Sequence, residues 1–264
     1  MKKVLWAVFI AAFVISCKQD KKSDKEIIVL PEEKATTVDL SRYPENLQKV
    51  FARHGGLDNW QEQQSLTYKI KGNEIHYINL KDRKDRVDGE NFKIGFDGKD
   101  VWLHADEGAY KGNARFYHNL FFYFYAMPFV LADEGVNYSE ATPLTFEGTE
   151  YPGIRISYDN GVGDSPEDEY YLYYNPDTYQ MEWLGYTVTY ATGEKSDDVH
   201  WIRYNDWTDL KGLLLPNSIT WYDYEDDTIK EPKSTIEFKE AELSEVAYGD
   251  NVFDKPEGAT VIEK

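Results

Sequence analysis

Cysteine is almost absent: Cys17 is the only one in 264 residues. An intrachain disulfide is therefore excluded, even for a destination outside the reducing cytoplasm. Histidine is sparse too, with five copies on separate segments. Neither H-E-x-x-H nor G-x-S-x-G occurs, so the motifs that place a zinc ligand set or a nucleophile on one short element are missing. Catalysis is not expected, and no metal or cofactor is expected, although the abundant Asp and Glu leave room for a carboxylate pair. Basic residues are outnumbered, 29 Lys and Arg against 48 Asp and Glu, for a net charge of -19. Such a field repels nucleic acid and anionic headgroups, so a polyanion partner is not expected and the charge reads as a solvated acidic surface.

What the chain does have begins with a leader. Met1-Lys2-Lys3 is a short basic region, and Val4 to Ile15 is twelve unbroken apolar residues. That run is too short to cross a bilayer of about 30 Å as a helix and has the size of a signal-peptide core. Val14-Ile15-Ser16-Cys17 then matches the lipobox of bacterial lipoproteins. In that family the Cys sulfur receives a diacylglycerol, the peptide is cut before it, and the new amine is usually acylated. Residues 1–16 are thus expected to be a signal peptide and Cys17 the lipidated residue that anchors the protein to a membrane. Residues 17–38 are charged, mixed in sign and poor in aromatics, and read as a flexible tether. Lys18 rather than Asp follows Cys17, so the usual inner-membrane retention signal is missing. The outer membrane, at its periplasmic face or at the cell surface, is the expected location.

Residues 39–264 read as one domain. Apolar residues make up 41% of the chain and aromatics 16%, Tyr foremost, which is enough for a core and leans toward β structure. Ser41 is expected to cap a first helix with Pro44 in its first turn. Leu47, Val50, Phe51 and His54 recur at helical spacing, Gly55-Gly56 stops the helix, and Leu57 to Gln63 restarts it. His54 reads as a residue closing the helix end rather than as a ligand or base. From Leu66 the period changes to two. Asp97-Gly98 is a hairpin signal, and sequential strands joined by tight turns imply an antiparallel meander.

The most apolar run beyond the leader, Phe116 to Leu131, interrupts this pattern. Leu120, Phe121, Phe124 and Tyr125 fit a helical face, and Pro128 breaks the run. It is too short and too rich in Tyr to span a membrane. Strands resume after Gly135. The acidic stretch 159–169 offers Asp159, Asn160, Asp164 and Glu167 as calcium-type oxygen ligands, but not at EF-hand spacing, and reads as an exposed hairpin loop. The expected fold is mainly β (α+β): a curved antiparallel half-barrel of about eleven strands wrapped around the helical insert 116–131.

Several short motifs run in order along the domain: HGG at 54–56 followed by Trp60, FDGKDVW at 96–102, LFFYFYAMPFVLAD at 120–133, YNPDT at 174–178, and D-x-x-G-L-x-L-P at 209–216. With them the chain resembles an uncharacterised bacterial (Bacteroidetes-type) lipoprotein family, domain of unknown function 6503. It is also similar to the LolA/LolB-like lipoprotein-localisation superfamily. The resemblance implies a half-barrel closed by a helical lid over an apolar cavity, which in characterised relatives holds acyl chains in transit. Independently, a sheet this wide must curl, and the insert is the segment apolar enough to cover its concave face. The expected function is therefore an anchored lipoprotein that binds or carries a lipid, an acyl chain or another hydrophobic small molecule. The competing expectation is a structural or interaction lipoprotein with a filled core. Tyr68, Ile70, Phe96, Trp102, Phe121, Phe124, Phe129, Trp183 and Trp221 are the candidate lining residues.

Overall fold

The computed structural model describes residues 38–159, 165 and 167–263. Residues expected to form the leader, Cys17 and nearly all of the tether lie outside them. The first helix, α1 (Glu45–Arg53), buries Leu47, Val50 and Phe51 and ends at His54. Ser41 does not cap it. Pro44 occupies the cap position with no side-chain bond to the helix, and the Ser41 N–H is taken by Asp39 Oδ1 at 2.9 Å. A tight turn, Tyr43 N–H to Leu40 O at 3.0 Å, brings the chain in, and proline's locked φ starts the helix without a hydroxyl. A second helix, α2 (Leu57–Glu62), follows Gly56 and buries Leu57 and Trp60.

Fourteen strands occur among the described residues, in two antiparallel sheets of seven. The first sheet contains β1 (Ser65–Ile70), β2 (Glu74–Asn79), β3 (Asp85–Asp88), β4 (Phe92–Phe96) and β5 (Val101–Ala105) as a meander. It is completed by β13 (Lys239–Ser244) beside β1 and β14 (Thr260–Ile262) beside β5. The second sheet runs in order from β6 (Val136–Phe146) through β7 (Thr149–Tyr158), β8 (Tyr170–Tyr174), β9 (Met181–Tyr186), β10 (His200–Leu210) and β11 (Leu213–Glu225) to β12 (Thr228–Glu237). The architecture is the expected mainly β, open half-barrel, with more strands than the alternation suggests. β3 escapes a hydropathy reading because its four residues are DRVD. Its charges are matched: Arg86 clasps the Asp88 carboxylate at 2.7 and 2.6 Å on one face, while Asp85 points to the other, toward His118.

The two sheets are nearly one. Only Phe238 separates β12 from β13, so the chain leaves the edge of one sheet and immediately becomes the edge of the other. Phe238 is buried, and its N–H bonds to Asn217 O at 2.8 Å. β1 pairs with β13 only as far as Lys69 opposite Lys239. Beyond that point Ile70 and Lys71 face β12 across a gap, because the chain has turned into the other sheet. The far edges, β14 and β6, do not pair with each other, so the barrel stays open.

Between the sheets lies the insert: α3 (Ala114–Tyr117), α4 (Leu120–Tyr125) and a 3-10 turn (Phe129–Ala132), with a cis peptide bond at Met127–Pro128. Phe121, Phe122, Phe124, Tyr125, Met127, Phe129, Val130 and Leu131 are all buried in one cluster with residues of both sheets and both N-terminal helices. The insert is the middle of the core rather than a cover laid over an empty space.

Two of the sequence motifs meet in this arrangement. His54 O accepts from Leu214 N–H at 2.9 Å, and Asn59 Nδ2 donates to Lys211 O at 3.0 Å, which ties the HGG helix junction to the β10–β11 turn. Gly55 sits at φ 107, and a Cβ there would lie 2.1 Å from Gly212 O. Only glycine fits both the backbone conformation and the contact.

Candidate functional site

Polar side chains pin the insert to the first sheet. In β2, Glu74 and His76 share the inner face with Ile78, positions that strict alternation reserves for apolar groups. Burying them requires partners. The Tyr117 hydroxyl donates to Glu74 Oε1 at 2.5 Å, and His76 Nε2 lies 2.9 Å from the same oxygen. Burial works against the Glu74 carboxylate, but the bonds from His76 and Tyr117 outweigh it and lower its pKa. Burial and the Glu74 charge push the Tyr117 phenol far up. One strand away, His118 Nδ1–H donates to Asp85 Oδ2 at 2.6 Å, with both side chains buried. At the insert's other end Arg83 clasps Asp133 at 2.5 and 2.8 Å. The Tyr204 hydroxyl donates to Phe124 O at 2.9 Å from the second sheet. These histidine–carboxylate pairs are enclosed by the core, and their geometry holds a segment in place.

The gap at the turn from β12 into β13 is open to solvent and forms a groove in two adjoining parts. The larger, about 370 Å³, is lined by Phe121, His200, Trp221, Tyr222, Lys233, Ser234 and Ile236. The smaller, about 320 Å³, is lined by Ile70, Lys71, Gly72, Thr235, Ile236, Glu237 and Lys239. Ile236 belongs to both. Each volume falls near the low end of the roughly 300–1,000 Å³ typical of ligand pockets. Trp221 is held by a bond from its Nε1–H to the Tyr186 hydroxyl at 2.9 Å and by an edge-on contact with Phe124 at 5.7 Å. Phe121, at 6% exposure, is the insert residue that reaches the groove. A pre-positioned aromatic wall with polar groups at the rim is a surface on which an apolar chain can lie.

Of the nine candidate lining residues, the structure brings Ile70, Phe121 and Trp221 to this groove. Tyr68, Phe124 and Phe129 lie in the central cluster, Tyr68 stacked on His76 at 4.8 Å and Phe129 on Trp60 at 4.8 Å. Phe96 belongs to a smaller cluster with Val87, Ile94 and Val101. Trp102 and Trp183 occupy the outer faces. Trp102 lies opposite Gly95 in register, where the missing Cβ makes room for its indole, and donates to Phe253 O at 2.9 Å beneath the C-terminal segment. Trp183 packs with Phe146 and Tyr222 on the back of the second sheet. Strand alternation identifies two faces but does not say which is concave, and tryptophans on the outer faces found covers of their own. Sequence reasoning missed Lys71, His200 and the β12 residues of the groove. It also missed the inward Glu74, His76 and Asp85, whose signal was a polar residue in phase with an apolar one.

His54 is a neutral fastener. It is buried, accepts from Met181 N–H at Nε2 (3.1 Å), and faces Leu214 O at 3.1 Å through Nδ1. Those partners place its proton on Nδ1. Desolvation lowers its pKa to about 4, so it closes the helix as an uncharged ring rather than as a cation at the helix end. Among the described residues no cluster of three His, Cys, Asp or Glu is placed to hold a metal ion, and no helix is long and apolar enough to cross a membrane. Asn160 and Asp164 of the acidic loop lie outside the described residues, while Asp159 accepts from Asn137 Nδ2 at 2.8 Å.

The model of a family of unknown function, DUF6503, matches residues 103–228. The match runs from β5 through the insert to the first residue of β12, and it is the family that the sequence motifs resemble. No curated protein matches the chain. Among solved structures, a LolA superfamily protein from Nitrosomonas europaea is similar at 10% identity, covering 79% of this chain and 97% of that one, with a TM-score of 0.46. A DUF1329 family protein from Desulfovibrio piger is similar at 10% identity, covering 80% and 98%, with a TM-score of 0.48. A domain described as an outer membrane lipoprotein-sorting protein, from Vibrio parahaemolyticus, is similar at 8% identity, covering 80% and 95%, with a TM-score of 0.43.

Proposed function

We propose that this chain is a lipid-anchored protein of the cell envelope that binds a hydrophobic chain in the groove beside Phe121, and that it is not an enzyme. The observation that carries this reading is the aromatic groove itself. It opens where the chain turns from one sheet into the other, and Phe121 and Trp221 form its wall. The anchor rests on the lipobox ending at Cys17, and the absence of Asp after it favours the outer membrane. The buried histidine–carboxylate pairs, each consumed in holding the insert, support a binding role over catalysis.

A second reading has its own observation. The space between the sheets is occupied by the insert, whose Phe121, Phe122, Phe124, Tyr125, Met127, Phe129, Val130 and Leu131 are at most 6% exposed. A core filled by these residues suits a structural or interaction lipoprotein. Titration separates the two. With the intact chain carrying Cys17→Ser to prevent acylation, dodecanol is expected to bind saturably, and Trp221→Ala is expected to weaken that binding at least ten-fold. No saturable binding in the wild-type groove would leave the structural reading standing.

A further inference from the structure

Among the described residues that line the groove, Lys71 is the lysine with no carboxylate at ion-pair distance, and this narrows the ligand class, given the binding role proposed above. We propose that Lys71 receives the carboxylate of a single-chain fatty acid whose tail lies along Phe121, Trp221 and Ile236.

Three lysines and one histidine line the two parts of the groove. Lys233 is paired with Asp223 at 3.0 Å, Lys239 with Glu237 at 2.7 Å, and His200 lies 4.0 Å from Asp198. Lys71 has no carboxylate within ion-pair distance among the described residues. Its ammonium donates to the Tyr117 hydroxyl at 2.9 Å and rests 4.5 Å from the Phe121 ring centre and 4.8 Å from that of Tyr117. An ammonium has three donors, so two remain. Glu74, whose charge acts on the ammonium, is already committed to Tyr117 and His76 through one oxygen. Burial removes part of the ammonium's hydration and lowers its pKa, with the Glu74 charge acting the other way.

The placement joins head to tail. Lys71 follows the last residue of β1 at the point where the two sheets part, and the ring it rests on is the ring that lines the apolar wall. A carboxylate at the ammonium therefore directs an attached chain along Phe121 toward Trp221. A lysine ammonium is a compact point charge and suits a small carboxylate without requiring a fork geometry. The groove's volume, at the small end for ligand sites, favours one chain over two. The protein's net charge of -19 opposes an anion at long range, but in physiological salt that field is screened beyond about 8 Å, and the local cation decides.

The test compares dodecanoate with dodecanol by calorimetry at pH 8, below their aggregation thresholds, on the intact chain carrying Cys17→Ser. The wild-type groove is expected to bind dodecanoate at least ten-fold tighter. Lys71→Met should abolish that preference while keeping the dodecanol affinity, Lys71→Arg should retain it, and Lys239→Met should leave it unchanged. Equal affinity for the two amphiphiles in the wild-type groove overturns the assignment of the headgroup and leaves the groove's binding role intact. Survival of the preference in Lys71→Met does the same. If neither amphiphile binds, the binding role itself falls. Should Lys71→Met fold poorly, the wild-type preference decides the matter alone: it must shrink in 1 M salt, and a salt-independent preference rejects the ion pair.

Discussion

A single imidazole links two distant parts of the chain, and its chemistry is readable in a pH titration. His54 has one ring nitrogen facing Leu214 O and the other accepting from Met181 N–H, an arrangement only the neutral ring can make. Its folded pKa, about 4, lies below the ordinary histidine value of 6.5 because burial penalises the charged form. Below pH 6.5 the unfolded chain takes up this proton and the folded chain does not. The stability it supports is thus fully present above pH 6.5 and is lost as pH falls toward 4. On full protonation the loss is about 3 kcal/mol. Urea midpoints of the wild-type chain and of His54→Gln, measured from pH 7.5 to 4.5, should converge on acidification. A gap that stays constant across that range rejects the neutral-fastener role.

The insert shows how a polar framework can position an apolar segment. Its rings supply the burial, but rings alone do not fix which way a short helix lies. Tyr117 to Glu74, His118 to Asp85 and Asp133 to Arg83 attach it at both ends to β2, to β3 and to the turn between them. Removing one partner of an enclosed pair leaves the other without compensation. Asp85→Ala is accordingly expected to destabilise the protein by about 3 kcal/mol. It should also raise hydrogen exchange in residues 114–118 before the rest of the core opens. Exchange that rises uniformly over the whole domain would mean the pair supports the fold generally rather than this segment. The same segment then presents Phe121 to the groove, so its placement decides the shape of the candidate site.

For the protein as a whole, the proposed anchor and the domain are expected to make separate contributions. Cys17→Ser should move the chain from the membrane fraction to the soluble periplasmic or secreted fraction, with no change in the thermal midpoint of the domain. Membrane retention of that variant would place the attachment elsewhere. Much of this was legible beforehand. The period-two pattern from Leu66, the turn residues and the apolar insert are local signals, each complete within a few residues, and the mainly β class follows from them. β3 was not legible because three of its four residues are charged, and the partner of its inward carboxylate, His118 to Asp85, lies 33 residues along the chain. The concave face was not legible either: Trp102 and Trp183 alternate as correctly as Tyr68 and Ile70 do, yet lie on the outside. By itself the sequence determined the strand-rich class and the identity of the core-forming insert, since propensity, period and turn chemistry act over short range. Only the tertiary structure decided that Phe238 would divide one sheet into two, that the resulting gap would gather Ile70, Phe121 and Trp221, and that Lys71 would stand there without a carboxylate. Those outcomes depend on contacts between segments far apart in the chain, which no local pattern encodes.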